Sequence, residues 1–149
     1  MPAQAGTAAP PIFGVTFGEG PKALFFFKVT CPVCQMAAPK VAAFERAYPG
    51  RLVGIGQDPP DKLVEFSRTH GLPVKLRDDP PPYPASAAYG IRVVPTTFLV
   101  GEDGAILDVV ESWDREGLNA LSGRLADLLG AEPVTISERG DGLPPFRPG

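Results

Sequence analysis

One stretch constrains this chain more than any other. It is the apolar run Phe25-Phe26-Phe27-Lys28-Val29-Thr30, which ends at the pair Cys31-Pro32-Val33-Cys34 and continues as Gln35-Met36-Ala37-Ala38-Pro39. Residues 22–29 read as a central strand covered on both faces, and from Cys34 onward Met36, Val41, Phe44 and Tyr48 recur near helical spacing until Pro49-Gly50 stops them. A buried strand that enters a helix through Cys-x-x-Cys places both sulfurs where the unpaired N–H groups of the helix start stabilise a thiolate. Pro39 lacks an N–H and crowds the preceding turn, so the helix expected over residues 31–48 is expected to bend there. These are the only two cysteines in the chain. A bridge closing so short a loop constrains little of the unfolded chain, so the pair reads as chemical rather than structural.

The 149 residues suffice for one domain with an ordinary core, and 44% hydrophobic with 21% charged residues is a globular composition. A net charge of −3 without any Lys/Arg cluster argues against a nucleic-acid partner. No run of roughly 18 apolar residues is present, so no membrane-spanning segment is expected. Residues 1–11 have neither the basic start nor the hydrophobic stretch of a secretory signal, which predicts a cytoplasmic protein. A trimmed form of a periplasmic or otherwise extracytoplasmic protein would read the same way.

In chain order, residues 1–11 are small, polar and proline-rich and read as a flexible arm. Residues 12–17 alternate like a short edge strand, ended by Gly18-Glu19-Gly20-Pro21. After the cysteine helix, residues 51–56 are a strand. The next helix carries Leu63, Val64 and Phe66, is capped by Asp58 or Asp61, and is closed by Gly71-Leu72-Pro73. Residues 74–76 read as a short extended piece, 78–84 as a stiff proline-rich loop, and 85–89 as one short helix. Residues 91–100 lead into a strand, Glu102-Asp103-Gly104 is a hairpin turn, and 105–110 return antiparallel. Ser112 or Asp114 caps a last helix whose stripe is Leu118, Leu121, Leu125, Leu128 and Leu129, stopped by Gly130. Residues 131–149 are rich in Pro and Gly, lack periodicity, and read as a mobile tail. The order β-α-β-α-(α)-β-β-α predicts an α/β sandwich with a mixed sheet over residues 12–130.

The strand, Cys-x-x-Cys, proline-containing helix and later hairpin entered through Val94-Pro95-Thr96-Thr97-Phe98 together resemble the thioredoxin fold. The spacing, with the run from Ala88 to Val100 followed by Asp103-Gly104, is most similar to its TlpA-like or redoxin branch. The resemblance implies a three-layer sandwich with a central mixed sheet and helices on both faces. It implies a thiol-disulfide oxidoreductase that needs no cofactor beyond its redox-active disulfide, exchanges with a protein disulfide or dithiol substrate, and is served by a protein electron donor. A monomer is expected.

Cys31, at the first helical turn, is expected to have a lowered pKa and to act as the nucleophile; Cys34, one turn on and facing inward, resolves the mixed disulfide. The resemblance also implies a cis Val94-Pro95 bond, with Pro32, Val33, Val94, Pro95 and Thr96 forming the substrate platform and, by analogy, Pro95 keeping metal ions from the thiolates. Departures from the family pattern are Thr30 where many relatives carry Trp, Phe25 where thioredoxins often bury an Asp, and Ala37 where some TlpA-like reductases carry Glu. The usual proton acceptor for Cys34 is therefore missing, and Lys28, Gln57 or a water is left for the role. Pro32 removes one N–H and Val33 has no side-chain donor, which predicts a mid-range potential.

Other readings are weaker on chemical grounds. A zinc site wants four ligands, and beyond the cysteines His70 stands alone; no triad forms around it either. Trp113, Tyr89 and Phe98 read as packing residues. A peroxiredoxin-like thiol peroxidase wants a Thr two residues further upstream than Thr30, a place held here by Lys28, and an Arg clamp. A redox-sensing binding module without turnover would use the Pro95 platform alone.

Overall fold

The computed structural model describes residues 2–72 and 75–149. The first strand, β1 (Lys22–Phe27), is followed by α1 (Pro32–Ala47), β2 (Leu52–Gly56), α2 (Pro60–His70), β3 (Lys75–Asp78) and α3 (Pro84–Ala88). Then come β4 (Thr96–Val100), β5 (Ile106–Glu111), the two-residue β6 (Trp113–Asp114), α4 (Arg115–Leu129) and a terminal two-residue β7 (Phe146–Arg147). The main sheet runs β3-β2-β1-β4-β5. Strands β1, β2 and β3 are parallel, while β4 lies antiparallel to β1 and β5 antiparallel to β4.

Because successive side chains of a strand point to opposite faces, the phenylalanine run of β1 feeds two cores. Phe25 and Phe27 pack with Val41 and Phe44 of α1, Leu63 and Phe66 of α2, and Leu121 and Leu125 of α4. Leu24 and Phe26 face the other way, onto Tyr89, Phe98, Ala85 and Ile12. Burying a side chain of this kind contributes about 1.5–3 kcal/mol, so β1 is the thermodynamic centre of the fold. Three helices thus cover one face and the short α3 the other, the three-layer architecture that the resemblance implies.

Several local expectations resolve differently. Residues 12–17 form no strand: Val15 N–H donates to the Ile12 carbonyl in a turn, Gly14 has φ 76°, and Phe13 is fully exposed. The edge beside the hairpin is taken by the residues before it. Gly6 N–H donates to the Ile106 carbonyl, Ile106 N–H to Thr7, and Ala9 N–H to Gly104, with an antiparallel bridge between Ala8 and Ala105. The N-cap of α2 is Pro59, with no side-chain hydrogen bond, while Asp58 turns to the Val29 N–H. Asp114, not Ser112, caps α4 by accepting from Gly117 N–H. Helix α1 runs unbroken through Pro39, as expected of one helix over this stretch, with Pro39 on its exposed side. Gly71 caps α2 in the left-handed region, whereas Pro73 and Val74, in the expected helix closure and extended piece, lie outside the described residues, as does Met1 of the arm.

The stretch 131–149, aperiodic in sequence, is laid against the domain because polar side chains of the helices satisfy its backbone. Asn119 accepts from Ile136 and Ser137 N–H and donates to the Ser137 carbonyl, and Tyr48 Oη accepts from Val134 N–H. Asp141 pairs with Lys40 of α1 at 3.1 Å and Arg115 of α4 at 3.3 Å. Strand β7 then pairs antiparallel with β6.

Candidate active site

Strand β1 ends at Phe27, and a short loop delivers the chain to the start of α1. Both backbone groups of Val29 in that loop are tied: its N–H donates to Asp58 Oδ2 (2.9 Å) and its carbonyl accepts from Gln35 Nε2 (2.8 Å). The loop is therefore held from β2's exit on one side and from α1 on the other. Asp58 is the residue that sequence reasoning missed, since an Asp before a helical pattern reads first as a cap.

Cys31 is the N-cap of α1, in extended backbone at φ −81° and ψ 115°. Its sulfur accepts the Cys34 backbone N–H at 3.2 Å, so it takes the place that a Ser or Asp oxygen takes in an ordinary cap. Its thiol also donates to the Val94 carbonyl at 3.5 Å. Both cysteines are free thiols; Cys31 is half-buried and Cys34 fully buried. Burial pushes the Cys34 thiol well above its ordinary value, the hydrogen bond and proximity of Cys31 add to the rise, and the Lys28 backbone only partly offsets it. Cys34 is therefore held protonated, and any step in which it forms a bond must remove that proton.

The Val94-Pro95 peptide is cis, and the turn it makes is braced from both sides. Thr96 Oγ1 donates to the Val93 carbonyl (2.8 Å), and Ser112 N–H donates to the Pro95 carbonyl (2.8 Å). Cys31, Cys34, Val94 and Pro95 are thus brought together from elements far apart in sequence. The remaining candidates separate. Pro32 is exposed beside the sulfur, but Val33 is buried in the core and Thr96 is fully buried with its hydroxyl turned to Val93. Lys28 is exposed on the strand exit, and Gln57 donates to Ser86 Oγ (2.9 Å), whose own hydroxyl donates to Asp79.

Beside Thr30 lies a cleft of about 310 Å³ lined by Val29, Phe66 and His70 among others, with the His70 ring 4.8 Å from Phe66. His70 belongs to that wall and not to the sulfur pair. Trp113, Tyr89 and Phe98 are fully buried, as packing residues should be. Among the described residues, no group of three or more His, Cys, Asp or Glu side chains is placed to hold a metal ion. No helix there is long and apolar enough to cross a membrane.

Comparison with known proteins agrees with this fold. A profile of the AhpC/TSA family matches residues 16–109. A Chlorobium tepidum protein assigned as the thiol:disulfide interchange protein DsbE superposes with a TM-score of 0.71 at 19% identity, covering 85% of this chain and 99% of that one. A secreted Mycobacterium tuberculosis disulfide oxidoreductase homologous to E. coli DsbE gives 0.61 at 24% identity, over 75% of this chain and 84% of the other. Mycobacterium tuberculosis dsbF, in its mixed oxidized and reduced forms, gives 0.63 at 24% identity, over 73% and 82%. At these identities the likeness is one of fold. No curated protein sequence matches the chain.

Proposed function

The chain belongs to the AhpC/TSA family, and on that premise we propose that it is a thiol-disulfide oxidoreductase acting on protein disulfides through Cys31 and Cys34. The observation that carries the reading is the setting of the Cys31 sulfur, which caps α1 on the Cys34 N–H while touching the Val94 carbonyl. A sulfur so placed sits at the start of a helix with a backbone N–H on it and lies beside backbone that can pair with an extended peptide. The structural neighbours include proteins described as disulfide oxidoreductases, which supports the same reading.

The exchange balances as follows. The Cys31 thiolate attacks one sulfur of a substrate disulfide, forming a mixed disulfide and releasing the other substrate sulfur as a thiolate, which takes a proton from solvent. The Cys34 sulfur then attacks Cys31, the substrate's second sulfur leaves, and the pair is oxidised as the substrate is reduced by two electrons. Cys34 must shed its proton in this step. Gln57 is committed to Ser86 and Lys28 points to solvent, so the departing substrate thiolate, or a water beside it, is the acceptor. A protein dithiol returns the pair to its reduced form.

A peroxidase reading is favoured by the family membership alone. Against it stands Lys28 at the place where a peroxide site wants Thr. Insulin-disulfide reduction measured beside peroxide consumption tests the choice: turnover of insulin with negligible peroxide loss supports the exchange reading, and the reverse pattern overturns it.

A further inference from the structure

Residues 143–149 leave the Asp141 turn and run back across the domain towards the sulfur pair. The base of this segment is firmly attached. The Leu143 carbonyl accepts from Arg115 Nη2 (2.6 Å), the Pro144 carbonyl from Trp113 Nε1 (2.6 Å), and the Pro145 carbonyl from Arg115 N–H (3.0 Å). Phe146 and Arg147 then pair with Asp114 and Trp113, and the Arg147 guanidinium reaches Met36 Sδ in α1 at 4.0 Å. Pro148 has no N–H to give. Gly149 N–H donates to Ser112 Oγ (3.0 Å), and Gly149 lies so close over Val94 that a Cβ there would overlap the Val94 carbonyl oxygen and the Val94-Pro95 peptide. The Val94 carbonyl that meets the Cys31 thiol is therefore also the one that Gly149 covers.

We propose that residues 146–149 are an intramolecular strap that occupies the peptide-binding platform at Val94 and must lift before a protein substrate can pair there. This rests on the assignment of Cys31 and Val94 to substrate exchange. The build of the segment suits the role: three successive carbonyls fix its base, whereas beyond Arg147 one side-chain hydrogen bond, to Ser112, holds the tip among the described residues. Residue size matters as much as bonding, because only glycine fits against the Val94 carbonyl. The strap sorts substrates by what they need. A protein disulfide needs the Val94 backbone and competes with the tip, while a small disulfide needs only the Cys31 sulfur.

Two point variants of the full chain test this without touching the sulfurs. Gly149→Ala forces the tip off the platform by overlap, and Ser112→Ala removes its acceptor. Each is expected to raise kcat/KM for insulin reduction by about fivefold, the shift that one hydrogen bond of ordinary strength is worth. Exchange with 2-hydroxyethyl disulfide is expected to stay within about twofold of the parent, well inside that shift. Insulin rates that are unchanged or slower in both variants overturn the strap, as does an equal rise with both disulfides. Cys31→Ser, run alongside, separates this from the functional reading: if it retains exchange with either disulfide, that reading itself fails, and if it loses both, the variants judge the strap alone.

Discussion

The Cys31 thiol and the Val94 carbonyl meet at 3.5 Å across 63 residues of sequence, joining the first turn of α1 to the cis-proline turn before β4. The contact depends on the sheet order, since β4 is the antiparallel neighbour of β1, whose exit supplies the cysteines. Chemistry and topology are coupled at this point, and each of the following predictions probes one side of the coupling.

The redox poise is expected to follow from how few donors, among the described residues, face the Cys31 sulfur. The Cys34 N–H reaches it, Pro32 has no N–H, and Val33 is turned into the core without a polar atom. A reduced form with so little extra stabilisation is expected to have a midpoint between about −270 and −180 mV, the interval from thioredoxin to protein disulfide isomerase. Equilibration in glutathione buffers with alkylation of the remaining thiols measures it, and a value near the strong-oxidant end, about −120 mV, contradicts this account of the dipeptide.

Asp58 acts on the site through Val29. Asp58→Ala strips the Val29 N–H of its acceptor in a half-buried loop, which is expected to cost about 1–2 kcal/mol. Urea unfolding gives the stability loss. Slower exchange at Cys31 that Asp58→Asn, which keeps an acceptor oxygen, largely restores would confirm that the carboxylate positions the loop.

Asp141 ties the tail to α1 and α4, and its carboxyl is held well below the usual carboxylate range by the Ser137 hydroxyl first, then by the Leu143 N–H and Lys40. A folded-state value below the unfolded one of about 3.9 means that the contribution is present in full above that pH and is lost as pH falls further. Asp141→Asn is therefore expected to lower Tm near neutral pH, with the gap to the parent closing below about pH 4. A Tm gap that stays constant from neutral to acid pH contradicts the carboxylate's role.

What the sequence makes legible is what neighbours in the chain decide. The phenylalanine run, the Cys-x-x-Cys at a helix start, the hairpin closed by Gly104 at φ 83° and the Asp114 cap are local signals, and the structure shows each of these elements. The edge and the tail depend on distant partners. Residues 12–17 alternate like a strand, yet the edge is taken by residues 6–9, whose small side chains carry no such pattern and whose partners lie near residue 105. The two-residue β6 and β7 are too short for any periodicity, and their pairing follows from Arg115 and Trp113 binding carbonyls about thirty residues away, among them that of Pro144. Asp58 and Gln57 were legible as residue types but not in role, because the groups that they satisfy belong to other elements.

The central claim, that Cys31 attacks and Cys34 resolves, is tested most directly by incubating reduced Cys34→Ser with insulin, quenching with acid and mapping the adduct by mass spectrometry. The account predicts a stable mixed disulfide between an insulin cysteine and Cys31, which the parent chain does not accumulate. A Cys34→Ser chain that turns insulin over at the parent rate, or a Cys31→Ser chain that forms the adduct at Cys34 as readily, would contradict it.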